Sequence, residues 1–326
     1  MRAAKRKAIV IAAVCMVAGL LISFMALAAM DFQFFEMGTM ASVTNAYEVA
    51  NVFTNIQVRG AECDVRLLPS EDGTCRVLCH ETDRITHTVT VENGTLMIER
   101  TDNRKWYEHI GLTWSYWGPI EVIICLPEGA YGDLYVRTAS GTVEIPGDFA
   151  FAQAEVDGIS GDVSLMAAVE GELRLKTVSG DIQVSGSSPE TLTVKSTSGK
   201  ITADSVAVGT AFACETVSGS QNISRLTCQN ATVYSTSGSV AASDLIASES
   251  IHMEAVSGSL KLLRSDAKTL WIKTVSGDVT GTLCTEKVFV THTTSGNVSV
   301  PDTAAGGTCE VRTVSGSITF DVPDRE

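Results

Sequence analysis

The stretch Leu173-Arg174-Leu175-Lys176-Thr177-Val178-Ser179-Gly180-Asp181-Ile182-Gln183-Val184 decides how the rest of the chain is read. Leu173 and Leu175 before the Ser-Gly pair, and Ile182 and Val184 after it, alternate with polar residues. That is the period of two half-buried strands on either side of a tight corner. The pair returns at Ser140, Ser160, Ser198, Ser218, Ser237, Ser257, Ser276, Ser295 and Ser315, always 19 or 20 residues apart. Self-similarity at such a period marks a solenoid, whose single repeat cannot bury its apolar face alone.

Counted from the Ser, positions six and four before it and three after it are apolar in nearly every repeat, as in Leu192, Val194 and Ile201 or Leu270, Ile272 and Val279. An apolar position eight after the Ser, held by Val206, Leu226 and Leu245, implies a third and less regular side. The expected fold is therefore all-β: a parallel β-solenoid, taken as right-handed, of about ten coils over residues 131–326. Stacked about 4.8 Å apart, the coils would form a rod roughly 45 to 50 Å long. The recurring Gly is assigned to a corner that needs φ > 0. Thr or Ser two before the reference Ser recurs in eight coils. Turn chemistry explains this better than a repetitive ligand surface of the kind ice-binding solenoids carry. Gln221 breaks an apolar phase, either as a bulge that turns Ile223 inward or as a buried amide in need of partners. After Ile318 to Val322 the chain runs out, so an open strand edge is expected there, blocked by Asp321, Pro323 and Asp324.

The N-terminus carries Arg2, Lys5, Arg6 and Lys7, then no charge from Ala8 to Met30. Such a span is long enough to cross a bilayer as a helix, and the basic flank would keep the N-terminus in the cytoplasm and the β domain outside. Residues 1–30 are thus expected to be a basic tail and transmembrane anchor, the chain's membrane partner. A cleaved signal ending near Ala26-Leu27-Ala28 stays open, although the apolar core exceeds the usual signal length. Residues 31–47 read as linker. The net charge of −14 argues against a nucleic-acid partner, which would need clustered Lys and Arg.

Residues 48–130 read as a β section. Ile56-Gln57-Val58 and Cys63 to Leu67 alternate, Asn93-Gly94 joins a hairpin, and Glu121 to Pro127 is apolar enough to suggest burial on both sides. Between these last two, residues 103–119 hold Trp106, Tyr107, Trp114, Tyr116 and Trp117. Such a cluster could stack on sugar rings or sit at a lipid interface, while a loop folded over the solenoid's end is the plainer reading. These five are the candidate binding surface.

Of nine cysteines, Cys15 lies in the apolar span, and Cys214 and Cys309 hold apolar repeat positions as small buried hydrophobes. If Cys63 to Leu67 and Cys75 to Cys79 pair as a hairpin around Ser70-Glu71-Asp72-Gly73, Cys63 could bridge Cys79. His80, His87, His109, His252 and His292 show no metal-binding spacing, and no cofactor motif is present. Asp162 and Asp181 share a phase on adjacent coils and could pair two acids, but acidic turn residues are commoner than active sites.

The segment Ile120 to Pro127, then Leu134 to Gly141 and the Thr-Val-Ser-Gly-Asp-Ile coils, resembles the bacterial DUF4097 family of β-strand-repeat proteins, often labelled adhesins. The resemblance covers about Ile56 to Val322 and implies a parallel β-solenoid in an envelope protein, with no catalytic residues to carry over. The expected function is non-enzymatic: a membrane-anchored, extracytoplasmic solenoid for adhesion, envelope scaffolding or stress-linked contacts with a protein or cell-surface partner. The alternative is a solenoid that binds or cleaves polysaccharide, with a glycan as partner.

Overall fold

The computed structural model describes Gly19 and residues 42–60, 62–82, 85–103 and 121–321. The chain divides into two compact units, and the fold that follows is that of Val43–Asp102 with Pro119–Glu326. The basic tail and the span Ala8–Met30 lie outside the described residues, among which no helix is long and apolar enough to cross a membrane.

The architecture is a parallel β-solenoid of about ten coils. Coil stacks on coil in register, Ser140 beside Ser160, Ser160 beside Ser179 and Ser179 beside Ser198. The inward columns are buried as the alternation demands. Leu173, Leu175, Ile182 and Val184 are within 1 % of full burial, and the same phases supply one continuous core. The third side is real: Val206, Leu226 and Leu245 are buried and paired in register.

The Ser-Gly corner owes its glycine to stacking more than to φ. At Gly180, a Cβ would lie 2.1 Å from the carbonyl oxygen of Gly161, and at Gly219, 2.0 Å from that of Gly199. Glycine sits on glycine, and no side chain fits between the layers. At Gly141, Gly161, Gly258, Gly277, Gly296 and Gly316, φ between 140° and 159° adds the expected conformational reason. A second corner lies seven residues after the Ser, where Gly186, Ser205, Arg225, Asp244 and Arg264 adopt φ between 47° and 69°. Four of these are not glycine. Their side chains point outward and bond one another across coils. Arg264 Nε and Nη2 donate to the Asp244 carboxylate at 2.8 and 2.7 Å, and Arg225 Nε donates to Ser205 Oγ at 2.8 Å.

Gln221 is a buried amide, not a bulge. It pairs in register with Ile201 and Val240, and its Nε2 donates to the Tyr234 carbonyl at 2.6 Å and to Thr216 Oγ1 at 3.0 Å.

The N-terminal strands are β1 (Ser42–Val49), β2 (Asn55–Gly60), β3 (Asp64–Pro69), β4 (Cys75–Thr82), β5 (Ile85–Glu92), β6 (Thr95–Asp102), β7 (Glu121–Leu126), β8 (Gly129–Ser140) and β9 (Val143–Ile145). β2 stacks in parallel on β8 and β3 on β9, a coil without a Ser-Gly pair. β6 and β7 add a further layer on β2 and β3. Then the direction reverses: β5 runs antiparallel to β6, joined through Asn93 and Gly94 at φ 51° and 75°, and β4 runs antiparallel to β7. β1 pairs β4.

Three sequence expectations change here. β7 lies between β3 and β4, so those two strands do not form a hairpin, and Cys63 and Cys79 are both free. β7 is fully buried on one face only, through Val122, Ile124 and Leu126, while Glu121, Ile123 and Cys125 are half-buried. Residues 42–47 are strand rather than linker, paired with β4, and Asn45 and Tyr47 bond Glu81 of that strand.

The C-terminal end differs most from expectation. The strand Gly307–Ser315 pairs with Thr269–Ser276 on one side and Lys287–Ser295 on the other, and Ile318–Asp321 likewise lies between Val279–Leu283 and Val298–Ser299. The final coil is inserted one layer inward. Its inward residues Cys309, Val311, Ile318 and Phe320 are buried, whereas the coil it displaces offers Thr291 where the inserted coil has Val311 and exposes Val298. Apolar burial favours the better layer inside. Gly306 and Gly307 let the chain enter, since a Cβ there would meet the carbonyls of Glu286 at 1.9 Å and Lys268 at 2.1 Å. Asp321 therefore pairs with Thr282 rather than blocking an open edge; Pro323 and Asp324 lie outside the described residues. Among the described residues the exposed edge at this end is Lys287–Ser295 with Val298–Ser299.

Candidate functional site

Several residues singled out by the sequence turn out to build the rod. The hydroxyl column two before the Ser points inward, where Thr138, Ser196, Thr216, Ser235, Thr274 and Thr313 are buried. These hydroxyls donate to corner carbonyls, Thr216 to Gly219 at 3.2 Å, Ser235 to Gly238 at 3.0 Å and Thr274 to Gly258 at 3.3 Å. The column is turn chemistry directed into the core. The acids also serve the stack. Asp162 Oδ1 accepts from the Asp181 backbone N–H at 2.8 Å, and Asp181 Oδ1 from that of Lys200 at 2.7 Å. Each carboxylate bridges to the next coil's backbone.

Trp106, Tyr107, Trp114, Tyr116 and Trp117 lie outside the described residues. In sequence they fall between β6, which ends at Asp102, and β7, which begins at Glu121.

The outward residues of the first side offer what the interior does not, since they change from coil to coil. Five before the Ser, in stacking order, stand Tyr135, Glu155, Arg174, Thr193, Ala213, Thr232, His252, Trp271, Glu310 and Val290. Near the C-terminal end this face carries an aromatic row. The Tyr234 and His252 rings are 5.5 Å apart, and the His252 and Trp271 rings 4.1 Å apart with planes tilted by 34°. Lys273 Nζ stands 5.8 Å from the Trp271 ring centre and 2.7 Å from Glu254 Oε1. Desolvation between these rings holds the His252 imidazole below its ordinary value, with Glu254 opposing and Lys273 assisting, so the ring is neutral near pH 7. A neutral aromatic strip flanked by an ammonium and a carboxylate can stack on apolar faces and bond hydroxyls or peptide groups. Trp271 went unnoticed in the sequence beside the denser cluster at 103–119. The available signal was its phase, which His252 shares one coil earlier.

Nearer the N-terminal end the same face has a polar groove of about 280 Å³ lined by Asp133, Tyr135, Gln153, Glu155, Glu172 and Arg174. Arg174 Nη2 pairs Glu172 at 2.5 Å, which leaves the lining predominantly acidic.

Residues 53–213 and 190–326 match the Toastrack DUF4097 family. The chain belongs to this family. Solved structures of low sequence identity are similar to the chain. One, described as a candidate lipid binding protein from Parabacteroides distasonis, shares 13% identity at TM-score 0.47, covering 83% of this chain and 96% of that one. Another, described as a candidate adhesin from Bacteroides fragilis, shares 15% identity at TM-score 0.43, covering 87% and 98%. No curated protein matches this Toastrack chain.

Proposed function

We propose that this Toastrack protein is a non-enzymatic, membrane-anchored module, displayed outside the cytoplasm, that holds a protein or cell-surface partner on the outer face of its solenoid. The observation that carries the reading is the Tyr234–His252–Trp271 row, an aromatic strip with a flanking Lys273–Glu254 pair on a non-repeating face. Interior, corners and hydroxyl column are each explained by the stack, and the row is not. Aromatic residues with a polar tip concentrate binding energy at interfaces. The segment with Trp114 and Trp117 adds a second contact region, and the basic flank and apolar span supply the anchor.

A glycan partner is the second reading, favoured by the same strip because a pyranose ring can stack on Trp271 while Lys273 and Glu254 bond its hydroxyls. The test is binding of the full-length chain to a glycan array and to cell-surface proteins, for wild type, Trp271→Ala and the Trp114→Ala/Trp117→Ala pair. Protein binding lost in Trp271→Ala supports the first reading. Glycan binding lost in the same variant supports the second, and unchanged binding of both kinds rejects the row. Extraction of the chain from membranes by alkaline carbonate would reject the anchor.

A further inference from the structure

At the N-terminal end, three side chains of metal-ligating chemistry meet under the reversed strands. Cys79 and Glu81 are two apart on β4 and share a face, and His87 comes from β5. One ligand atom from each lies within 4.8 Å of the other two, and all three residues are buried, with exposures of 0%, 4% and 5%. Glu81 Oε1 is 3.2 Å from His87 Nδ1. Two ligands held about 2.0 to 2.1 Å from one tetrahedral ion stand about 3.3 Å apart, so this edge already has the right length. His87 Nε2, on the other side of the ring, is buried with no hydrogen-bond partner, so the imidazole's one polar contact is the Nδ1 that faces Glu81.

We propose that Cys79, Glu81 and His87 form a binding site for a divalent cation of the zinc class. A thiolate, a carboxylate and an imidazole make a mixed donor set that suits zinc better than calcium or magnesium, which prefer all-oxygen cages. Charge closes as well. Binding releases the Cys79 thiol proton to solvent, and the thiolate and Glu81 carboxylate together balance the 2+ ion while His87 stays neutral. Arg100, the nearby buried cation, is offset by Glu62 and Asp102, each 3.4 Å from its Nη2. Outside the three ligands, Tyr47 Oη donates to Glu81 at 3.1 Å and Asn45 Nδ2 also donates to that carboxylate, so β1 fixes the ligand's orientation. The ion would tie β4 to β5 at the end of the rod where parallel stacking stops.

The spacing Cys79-x-Glu81-x5-His87 matches no common metal motif, which is why only the fold reveals it. The test uses Co2+ as probe on the full-length chain after chelator treatment. A thiolate-to-cobalt charge-transfer band saturating at one ion per chain is expected. The band should vanish in Cys79→Ser, persist in the exposed-thiol variant Cys284→Ser, and need more than about 100-fold higher Co2+ in His87→Gln. No band in wild type, or an undiminished band in folded Cys79→Ser, overturns the proposal. Should Cys79→Ser fail to fold, wild type alone decides. Equimolar Zn2+ must raise its Tm by several degrees, reversibly with chelator, and an unchanged Tm overturns the site.

Discussion

The inside of each coil and the outside of the same strand follow opposite rules. Inward, the chain repeats itself: Leu, Val or Ile at fixed phases, a hydroxyl beneath the corner, glycine against glycine. Outward, five before the Ser, no two neighbouring coils agree, from Tyr135 and Glu155 through Arg174 to His252 and Trp271. Repetition is what stacking requires, because each layer must present the surface its neighbour buries. Departure from repetition is where a solenoid has room for recognition. The conspicuous Ser-Gly motif reports how the chain folds, and the proposed partner contact lies on the irregular row beside it.

The comparison can be broken from the inside first. Gly219→Ala should lower stability by about 3 kcal/mol or more, read as a large drop in Tm, since a Cβ 2.0 Å from the Gly199 carbonyl forces two layers apart. An unchanged Tm would mean that the corner is not a stacking contact. A similar loss, about 3 kcal/mol in chemical denaturation, is expected for Lys287→Ala, because Lys287 Nζ lies 2.6 Å from Asp266 Oδ1 and is only 4% exposed.

A smaller effect tests a buried titratable group. Burial holds the His87 imidazole below its ordinary value of 6.5, with Glu81 pulling it up and Arg100 pushing it down. The unfolded chain then binds the proton more readily than the folded one, so this contribution to stability is complete above pH 6.5 and is lost as pH falls below it. Tm measured from neutral to mildly acidic pH, in chelator, should fall in wild type and fall less in His87→Gln. The smallest stability effect is expected at the other corner. Ser205→Gly relieves φ of 55° but removes the acceptor of Arg225 Nε, so the net change should stay within about 1 kcal/mol. A large loss there would show that the two corners are equivalent after all.

Much of the fold was legible because the parallel register copies the sequence period into space. The apolar phases, the third side at Val206, Leu226 and Leu245, and the Asn93-Gly94 hairpin all follow from local pattern. What was not legible depends on which layer lies beside which. The inward placement of Gly307–Asp321 rests on a comparison of two coils' burial, and β7's place between β3 and β4 on a connection across residues 103–120. The αL corner was hidden because its residue changes from coil to coil, Gly186, Ser205, Arg225, Asp244 and Arg264, so no recurring signal marks it. The candidate site was half-visible: Trp271 and His252 share a phase, but a phase does not say that Tyr234 and Lys273 complete the row.

The central claim is that recognition sits on the non-repeating outer face while the interior only holds the rod. Photocrosslinking on intact cells tests it most directly, with the crosslinker placed at position 271 or at position 213, which stands in the same outward column three coils away. The account predicts a discrete adduct from position 271, lost when Tyr234 and His252 are both changed to Ala, and none from position 213, with Tm unaltered throughout. Equal adducts from both positions, or none from 271, would contradict it.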